Sequence, residues 1–297
     1  MSAGSVADGA RTRWIGLLCL LVTSVGWGVN WPAMKFLLRE WPPLFARGLA
    51  GITAALVIAL IAAARGEKLA VAPRLLPALV LAAFINVFVW MGFSTLAIRW
   101  LAAGQGALLV YTMPVWATLL AWPLQGRRPT PRAVAGLLLC IVGVVVLFGG
   151  HGLALGADRL PGVLFALGAA VLFAFGTVAL KPLPLPPFAA LAWQLLIGCM
   201  PMLAFGLLVE QPDFGALSGT GWMLMAYMTA VPMGVCYLTW FAALRRLPPA
   251  TASVATLLTP VVGVTAAALA LGEPLGLRQL LAMGLTVGGV ALVLARV

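Results

Sequence analysis

The 297-residue chain is 63% hydrophobic and only 8% charged, whereas about 25% of the residues of an ordinary soluble domain are charged. So few charged residues cannot cover the surface of a water-soluble fold, which excludes a soluble enzyme, a disordered protein and a DNA-binding domain. The basic residues lie between long apolar runs, so the net charge of +11 indicates orientation in a membrane rather than binding to nucleic acid.

Ten apolar segments follow one another along the chain, and a membrane helix needs about 20 such residues. They are 14–37, 43–64, 75–97, 101–124, 133–149, 160–181, 187–209, 221–244, 249–271 and 277–296. The segments predict an all-α integral membrane protein with ten transmembrane helices, the lipid bilayer being its main partner. Eight or nine spans remain an alternative, because some segments are separated by only a few residues. The first segment follows Arg11 and Arg13, but it is too long for a signal peptide and has no small-residue cleavage site.

The distribution of Lys and Arg predicts the orientation. If both termini are cytoplasmic, twelve of the 18 basic residues lie on the inner side. Four lie on the outer side, namely Arg39, Arg99, Arg159 and Arg278, while Lys35 and Arg47 lie near or within the membrane. Positive loops face the cytoplasm, so we expect an even number of spans in the cell inner membrane, with both termini cytoplasmic.

A shift of 146 positions lays the second half of the chain on the first. It pairs Ala97 with Ala243, Arg99 with Arg245, Pro114 with Pro260, Gly126 with Gly272 and Gly143 with Gly289. Each copy holds five spans, and an odd number forces the copies to point in opposite directions. We therefore predict a first repeat over 1–149 and a second, inverted repeat over 150–297. Inverted repeats are typical of transporters that bind a small-molecule substrate between the two halves.

Each copy has a proline within its fourth span, and the second copy continues with Gly272-Glu273 and the glycine-rich tenth span, which holds Gly284, Gly288 and Gly289. This pattern resembles the EamA-type unit of the drug/metabolite transporter superfamily. The first copy departs from it at Gly126-Arg127, where arginine replaces the acid. The segment 26–32, Gly-Trp-Gly-Val-Asn-Trp-Pro, is similar to the first span of YddG-type exporters of aromatic amino acids. The resemblance implies a small-molecule transporter.

All seven acids lie in tails or at span ends, and His151 lies in an outer loop. Without a carboxylate or imidazole at bilayer depth, coupling to protons or sodium and a cationic substrate are disfavoured, and we expect a facilitative carrier of a neutral or zwitterionic solute. The chain has no clustered His and Cys residues and no Ser beside a His base. We therefore expect no metal site, no cofactor and no catalytic residue, and take the four cysteines as packing residues.

Aromatic and amide residues within the spans are the candidates for substrate binding. They are Trp27, Asn30, Trp31, Asn86, Trp90, Tyr111, Trp193, Gln194, Tyr237 and Thr259. Rings bind flat solutes by stacking and edge contacts, and an ammonium group can lie over an indole face. Asn86 and Trp90 are four residues apart, so we expect them to share a helix face. Helix packing and hydrogen bonds between helices are the alternative roles.

Proline and basic residues supply the remaining candidates. Pro32, Pro114 and Pro260 are predicted gates or hinges, because proline lacks the amide donor of a helix. Lys35 and Arg47 are possible contacts for a carboxylate. Either side chain could instead extend to the membrane surface, and Arg47 could gate the outer mouth. Gly284 and Gly288 are spaced for close packing of the tenth span. We expect this packing to be internal, against a neighbouring helix, and contact with a second subunit is the alternative.

The predicted function is export of amino acids, above all aromatic ones, across the inner membrane by alternating access. Drugs of similar shape are further predicted substrates. Another small metabolite, such as a purine or a neutral amino acid, is an alternative substrate. A channel-like pore is an alternative of another class, although the spans carry only isolated polar residues. The oligomeric state is left open.

Overall fold

The structure, a computed structural model, describes residues 3–148, 158–248, 251 and 256–294. His151, Arg296 and positions 249, 250 and 252–255 of the ninth predicted span lie outside the described residues. The helical spans of the described ranges are α1 (Ala3–Leu37), α2 (Pro43–Ala64), α3 (Pro73–Trp100), α4 (Ala103–Gln125), α5 (Pro131–Phe148), α6 (Leu160–Ala179), α7 (Pro187–Glu210), α8 (Gly219–Leu244), α9 (Leu258–Leu271) and α10 (Leu277–Leu294). In these ranges nine helices are long and apolar enough to cross a membrane, and α9 is shorter. The predicted all-α membrane fold is confirmed.

The opposite direction of the two repeats is visible where α5 packs against α10, its equivalent in the second copy. A Cβ added at Gly136 would lie 2.5 Å from the carbonyl oxygen of Gly289, and one added at Gly143 would lie 3.0 Å from that of Ala282. The residue number falls along α10 as it rises along α5, so the two helices are antiparallel. Equivalent helices that run antiparallel belong to inverted units.

The glycines that bring α5 and α10 together differ from those that the spacing predicts. A Cβ added at Gly284 or Gly288 would have no atom within 4 Å, whereas one added at Gly289 would collide with the backbone of α5. Adjacent residues of an α-helix are rotated by about 100°. Gly288 therefore lies on another side of α10, and the internal packing expected of the Gly284–Gly288 pair is wrong.

Carboxylates at the helix ends tie α2 to α7. Glu210, at the end of α7, accepts a hydrogen bond from Phe45 N at the start of α2 over 2.9 Å. Glu67, just beyond α2, accepts one from Ala189 N at the start of α7 over 3.0 Å. The first amides of a helix lack partners within it and carry partial positive charge, so an acid there is stabilising. The bonds are reciprocal and link the two repeats at both ends of these helices.

Helix α4 is interrupted in mid-span. It consists of Ala103–Val110 and Met113–Gln125, joined by a turn at 111–112. In the second repeat a turn at 256–257 precedes α9 at the equivalent position. Pro114 and Pro260 lie in the first turn of the helices that follow, Met113–Gln125 and α9, as expected of residues that cannot donate a backbone hydrogen bond. Helix α1, by contrast, continues through Pro32. The role of these prolines as gates or hinges stays a prediction.

Helices α3 and α8 are also irregular at equivalent positions. Phe84–Phe93 within α3 and Val231–Val235 within α8 are π-helical. A π-helix closes its hydrogen bonds between residues five apart rather than four, and such segments are frequent at functional sites. The segment of α3 holds Trp90, and the segment of α8 holds Pro232, whose carbonyl oxygen accepts a hydrogen bond from Trp27. Both segments therefore help to position the aromatic residues described next.

Candidate functional site

A cavity of about 1110 Å³ lies between the two repeats. It is larger than the typical pocket for a small molecule, about 300–1,000 Å³. Of the predicted site residues, the structure brings together along its wall Trp27, Asn30, Trp31, Arg47, Trp90, Tyr111, Pro114 and Tyr237. The lining residues come from α1 to α5 of the first repeat and from α6, α8 and α10 of the second, so no single repeat builds the cavity alone.

One side of the cavity is formed by rings of α1 and α8. Trp27 packs against Tyr237 with ring centroids 5.5 Å apart and planes at 73°, and against Trp240 at 5.8 Å. The indole nitrogen of Trp27 donates to the carbonyl oxygen of Pro232 over 2.9 Å. Because Pro232 belongs to the π-helical segment of α8, that segment fixes the orientation of the indole.

The other side is a chain of rings from four helices. Trp90 of α3 lies 4.4 Å from Phe173 of α6 and 6.2 Å from Tyr111 of α4, measured between ring centroids. Trp31 of α1 lies 6.4 Å from Tyr111. Edge-to-face and offset ring contacts in this range are favourable. A flat aromatic group entering the cavity therefore meets ring faces and edges on both sides.

Phe173 is a lining residue that the sequence reasoning missed, although the repeat holds a signal for it. The shift of 146 positions that relates the two copies lays Trp27 on Phe173, and both side chains line the cavity. The flexible side chains of Met34, Met91 and Met233 also line it. A thioether adapts to irregular shapes and contacts ring edges favourably.

Two polar side chains of the cavity wall lack partners. Asn30 and Arg47 are each only 6% exposed, and both line the cavity. Among the described residues no hydrogen-bond partner exists for Oδ1 of Asn30 or for Nε and Nη1 of Arg47. Buried polar atoms are normally paired, and leaving them unpaired costs free energy. These atoms are therefore available to a ligand.

Asn86 and Gln194 lie away from the cavity. The Nδ2 of Asn86 donates to Oε1 of Gln194 over 3.0 Å and so links α3 to α7. Neither residue lines the cavity, whereas Trp90 does. Both Asn86 and Trp90 approach α6, since Oδ1 of Asn86 would lie 3.3 Å from a Cβ added at Gly176 and Trp90 contacts Phe173. That the two residues share a helix face stays a prediction.

Two other candidates make structural contacts, and a third, Thr259, is buried with no hydrogen-bond partner for its Oγ1 among the described residues. Trp193 donates its indole N–H to the carbonyl oxygen of Leu69 over 2.8 Å. Lys35 donates to the carbonyl oxygen of Leu101 over 2.9 Å, at the end of α3. Thr259 is fully buried near Tyr111. None of these three side chains lines the cavity.

The cavity reaches the surface beside the loop between α4 and α5. Gln125, Arg127, Arg128 and Thr130 are exposed there and line it. Successive spans alternate in direction, so the loops between α1 and α2, α3 and α4, and α9 and α10 lie at the opposite face. The described residues of those loops contribute nothing to the lining. In the part of the chain that the structure describes, the cavity lining reaches one face only, and Arg47, one turn into α2, lies toward the other, blind end.

A carboxylate of the second repeat joins the helices at the blind face. Glu273 accepts hydrogen bonds from Ala103 N and Gly104 N, at the start of α4. It follows Gly272, whose φ of +67° is left-handed and matches the +70° of Gly126 in the first repeat, a conformation that favours glycine. The turn therefore has the same shape in both repeats. The acid that follows it is present only in the second repeat, because Arg127 follows Gly126 in the first.

Comparisons with known proteins agree with this architecture. The model of the EamA-like transporter family matches residues 14–149 and again residues 160–295. The uncharacterized transporter YvbV of Bacillus subtilis is 30% identical over 95% of this chain and 92% of its own length. A probable amino-acid metabolite efflux pump of Salmonella typhimurium is 29% identical, with 94% of each chain covered.

Two further matches are more distant. The aromatic amino acid exporter YddG of Ancylobacter novellus is 28% identical over 71% of this chain and 74% of its own length. A solved protein crystal structure has the same fold, with a TM-score of 0.64, 22% identity and coverage of 95% of this chain and 96% of the other. Both halves of the chain match the same family model. This double match agrees with the two helical repeats that the structure shows. The chain belongs to the EamA-like transporter family.

Proposed function

We propose that the protein exports amino acids, above all aromatic ones, by alternating access between its two repeats. The observation that carries the proposal is the double wall of rings around the cavity, with Trp27 and Tyr237 on one side and Trp90, Tyr111 and Phe173 on the other. Flat side chains gain most from such walls. The wide cavity also accommodates drugs of similar shape.

The orientation of the cavity supports export. The mouth beside Arg127 and Arg128 lies on the side that the distribution of basic residues assigns to the cytoplasm. With both termini cytoplasmic and the chain in the cell inner membrane, the described conformation is open to the compartment in which amino acids are made. The units that alternate are the first repeat, 1–149, and the inverted second repeat, 150–297.

The placement of acids supports facilitative transport. Glu67, Glu210 and Glu273 accept hydrogen bonds from backbone amides at helix starts. Among the described residues no carboxylate lines the cavity. Carriers coupled to protons or sodium commonly bind the ion with such a group, so the gradient of the solute itself drives transport here.

Two relatives support amino acids as the substrate class, since one bears the name of an amino-acid metabolite efflux pump and the other that of an aromatic amino acid exporter. The family and the names of the relatives are those of transporters rather than enzymes, which supports a role without catalysis. A purine or a short neutral amino acid remains the second candidate, because the cavity is wide enough to hold either.

Uptake into liposomes that contain the purified protein tests the proposal. Radiolabelled L-tryptophan, L-phenylalanine, L-alanine, adenine and a drug with fused rings are offered separately, with and without a pH gradient. We expect saturable uptake of the two aromatic amino acids, stronger than that of alanine or adenine, and the same rate at equal and unequal pH. Preference for adenine or alanine, or proton movement that depends on substrate, contradicts the proposal.

A further inference from the structure

We propose that the guanidinium group of Arg47 binds the carboxylate of the transported solute, while Oδ1 of Asn30 accepts a hydrogen bond from its ammonium group. The cavity then selects amino acids and related carboxylates and rejects amines of the same shape. This inference rests on the proposed function in one respect, namely that the transported solute has an aromatic side chain. The recognition of the carboxylate itself rests on Arg47 and Asn30.

The position of Arg47 is fixed by the contact between α2 and α7. A Cβ added at Gly48, the next residue, would lie 2.5 Å from the backbone nitrogen of Leu203, so the backbones of the two helices touch. At Gly51, one turn on, an added Cβ would collide with Cys199. Helix α2 therefore cannot rotate to carry the guanidinium elsewhere, and the side chain is directed into the cavity.

Among the described residues, no carboxylate lies close enough to Arg47 to balance its charge. The titratable side chains close to it are those of Cys199 and Tyr237. Glu210, at the end of α7, already accepts a hydrogen bond from Phe45 N at the start of α2. A buried charge without a partner is strongly unfavourable. Carboxylate and phosphate are the anions whose geometry matches the planar guanidinium, because two of their oxygens can accept its paired hydrogen bonds. A carboxylate from the cavity supplies the missing charge.

Asn30 supplies the complementary acceptor. Its Oδ1 is buried and unpartnered, and the residue lies on α1 between Trp27 and Trp31, which both line the cavity. A carbonyl oxygen can accept a hydrogen bond but cannot donate one, so it suits an ammonium group. The adjacent indole rings attract the same cation. A free donor, a free acceptor and the rings thus match the three parts of an aromatic amino acid.

The arrangement also explains how an amine is rejected. An amine without a carboxylate leaves the charge of Arg47 unbalanced and brings a second positive charge into the same cavity. Repulsion between like charges disfavours such a ligand, which is a common source of specificity. An aromatic carboxylate without an ammonium group lacks this penalty and loses only the bond to Asn30.

Binding of three indole compounds tests the inference. L-tryptophan carries both charged groups, indole-3-propionate only the carboxylate and tryptamine only the ammonium group. Half-saturating concentrations are measured with the purified protein for the native chain and for Arg47→Gln and Asn30→Leu. Arg39→Gln is the matched control, because Arg39 is a basic residue at the same end of the helices but is exposed.

In the native protein we expect tryptamine to bind at least about tenfold more weakly than tryptophan, because it lacks the charged hydrogen bonds between a carboxylate and Arg47. Arg47→Gln is expected to weaken the binding of tryptophan and of indole-3-propionate by a similar factor. The binding of tryptamine is expected to be unchanged or stronger. Asn30→Leu is expected to weaken tryptophan but not indole-3-propionate. Arg39→Gln is expected to change none of them.

Unchanged tryptophan binding by folded Arg47→Gln, or equal binding of tryptamine and tryptophan by the native chain, overturns the inference. If Arg47→Gln does not fold, Arg47→Lys replaces it, because lysine keeps the charge but loses the two-pronged geometry, and an intermediate weakening is expected. If no indole compound binds, the proposed substrate class is wrong, and L-leucine and isoamylamine take their place. Loss of leucine binding in the Arg47 variant then still supports carboxylate recognition, and failure to bind any carboxylate overturns it.

Discussion

Glu273, at the end of the ninth span, accepts a hydrogen bond from Ala103 N at the start of α4 over 2.6 Å. The bond joins a helix of the second repeat to a helix of the first at the face where the cavity is closed. The same carboxylate accepts a second bond from Gly104 N over 3.0 Å. In the proposed alternating access this face must open, so we expect these bonds to break during each transport cycle.

Replacement of Glu273 by Gln is therefore expected to loosen the closed face. The amide keeps an acceptor oxygen but loses the charge, which contributes about 0.3–1 kcal/mol at a helix N-terminus. We expect hydrogen exchange at Ala103 N and Gly104 N to become faster by a small factor. Glu67→Gln is the control, because it makes the same change at the start of α7. Unchanged exchange at the two amides, or an equal effect of Glu67→Gln on them, contradicts the expectation.

Substitution of Phe173 tests whether the aromatic residues of the cavity bind the solute. Removal of its ring in Phe173→Ala deprives Trp90 of a partner 4.4 Å away and a bound solute of a ring contact. Ring pairs contribute about 0.5–1.5 kcal/mol beyond their buried area, so we expect the half-saturating concentration of L-tryptophan to rise about two- to tenfold.

The matched control is Phe175→Ala, since Phe175 lies on the same helix but is exposed and does not line the cavity. Its substitution is expected to leave the half-saturating concentration unchanged. Equal effects of the two substitutions would place the solute elsewhere.

The contact between α5 and α10 predicts opposite outcomes for adjacent glycines. In Gly289→Ala the new methyl group would lie 2.5 Å from the carbonyl oxygen of Gly136, so one backbone must move. Forcing extra atoms into a packed interface costs about 1–3 kcal/mol. Gly288→Ala meets no atom within 4 Å and gains helix propensity. Thermal unfolding in detergent should show a lower midpoint only for Gly289→Ala, and equal midpoints would refute the packing described.

Asn86 and Gln194 are expected to contribute to stability rather than to binding. Breaking their hydrogen bond in Asn86→Leu is expected to cost about 0.6 kcal/mol, the average measured for such bonds within membranes. The half-saturating concentration of L-tryptophan is expected to stay the same. The double variant with Gln194→Leu should lose little more than either single variant, and a change in substrate affinity would return the pair to the binding site.

Much of the fold follows from patterns that are local in the sequence. Nine of the described helices contain enough apolar residues to cross the bilayer, and Pro114 lies just after the turn that interrupts α4. The packing faces are not local. Gly288 and Gly289 have the same side chain, and only the rotation of α10 against α5 decides which of them makes the contact.

The site is predictable to a similar degree. Trp27 and Trp193 are both tryptophans within apolar spans, yet the first lines the cavity and the second anchors the loop after α2. The direction of an indole depends on how its helix is rotated in the bundle, which a single sequence does not encode locally. Phe173 could have been predicted from the internal repeat. It is equivalent to Trp27, and equivalent residues of two inverted repeats lie at related positions about the symmetry axis between them.

Counterflow of L-tryptophan tests most directly whether an aromatic amino acid is carried between two alternately open repeats. Liposomes containing the protein are preloaded with unlabelled tryptophan and diluted into a trace of labelled tryptophan. We expect a transient accumulation of label above its equilibrium level, absent with preloaded tryptamine and reduced in Phe173→Ala. Label that enters without an overshoot, at a rate independent of preloading, indicates a pore and contradicts a carrier.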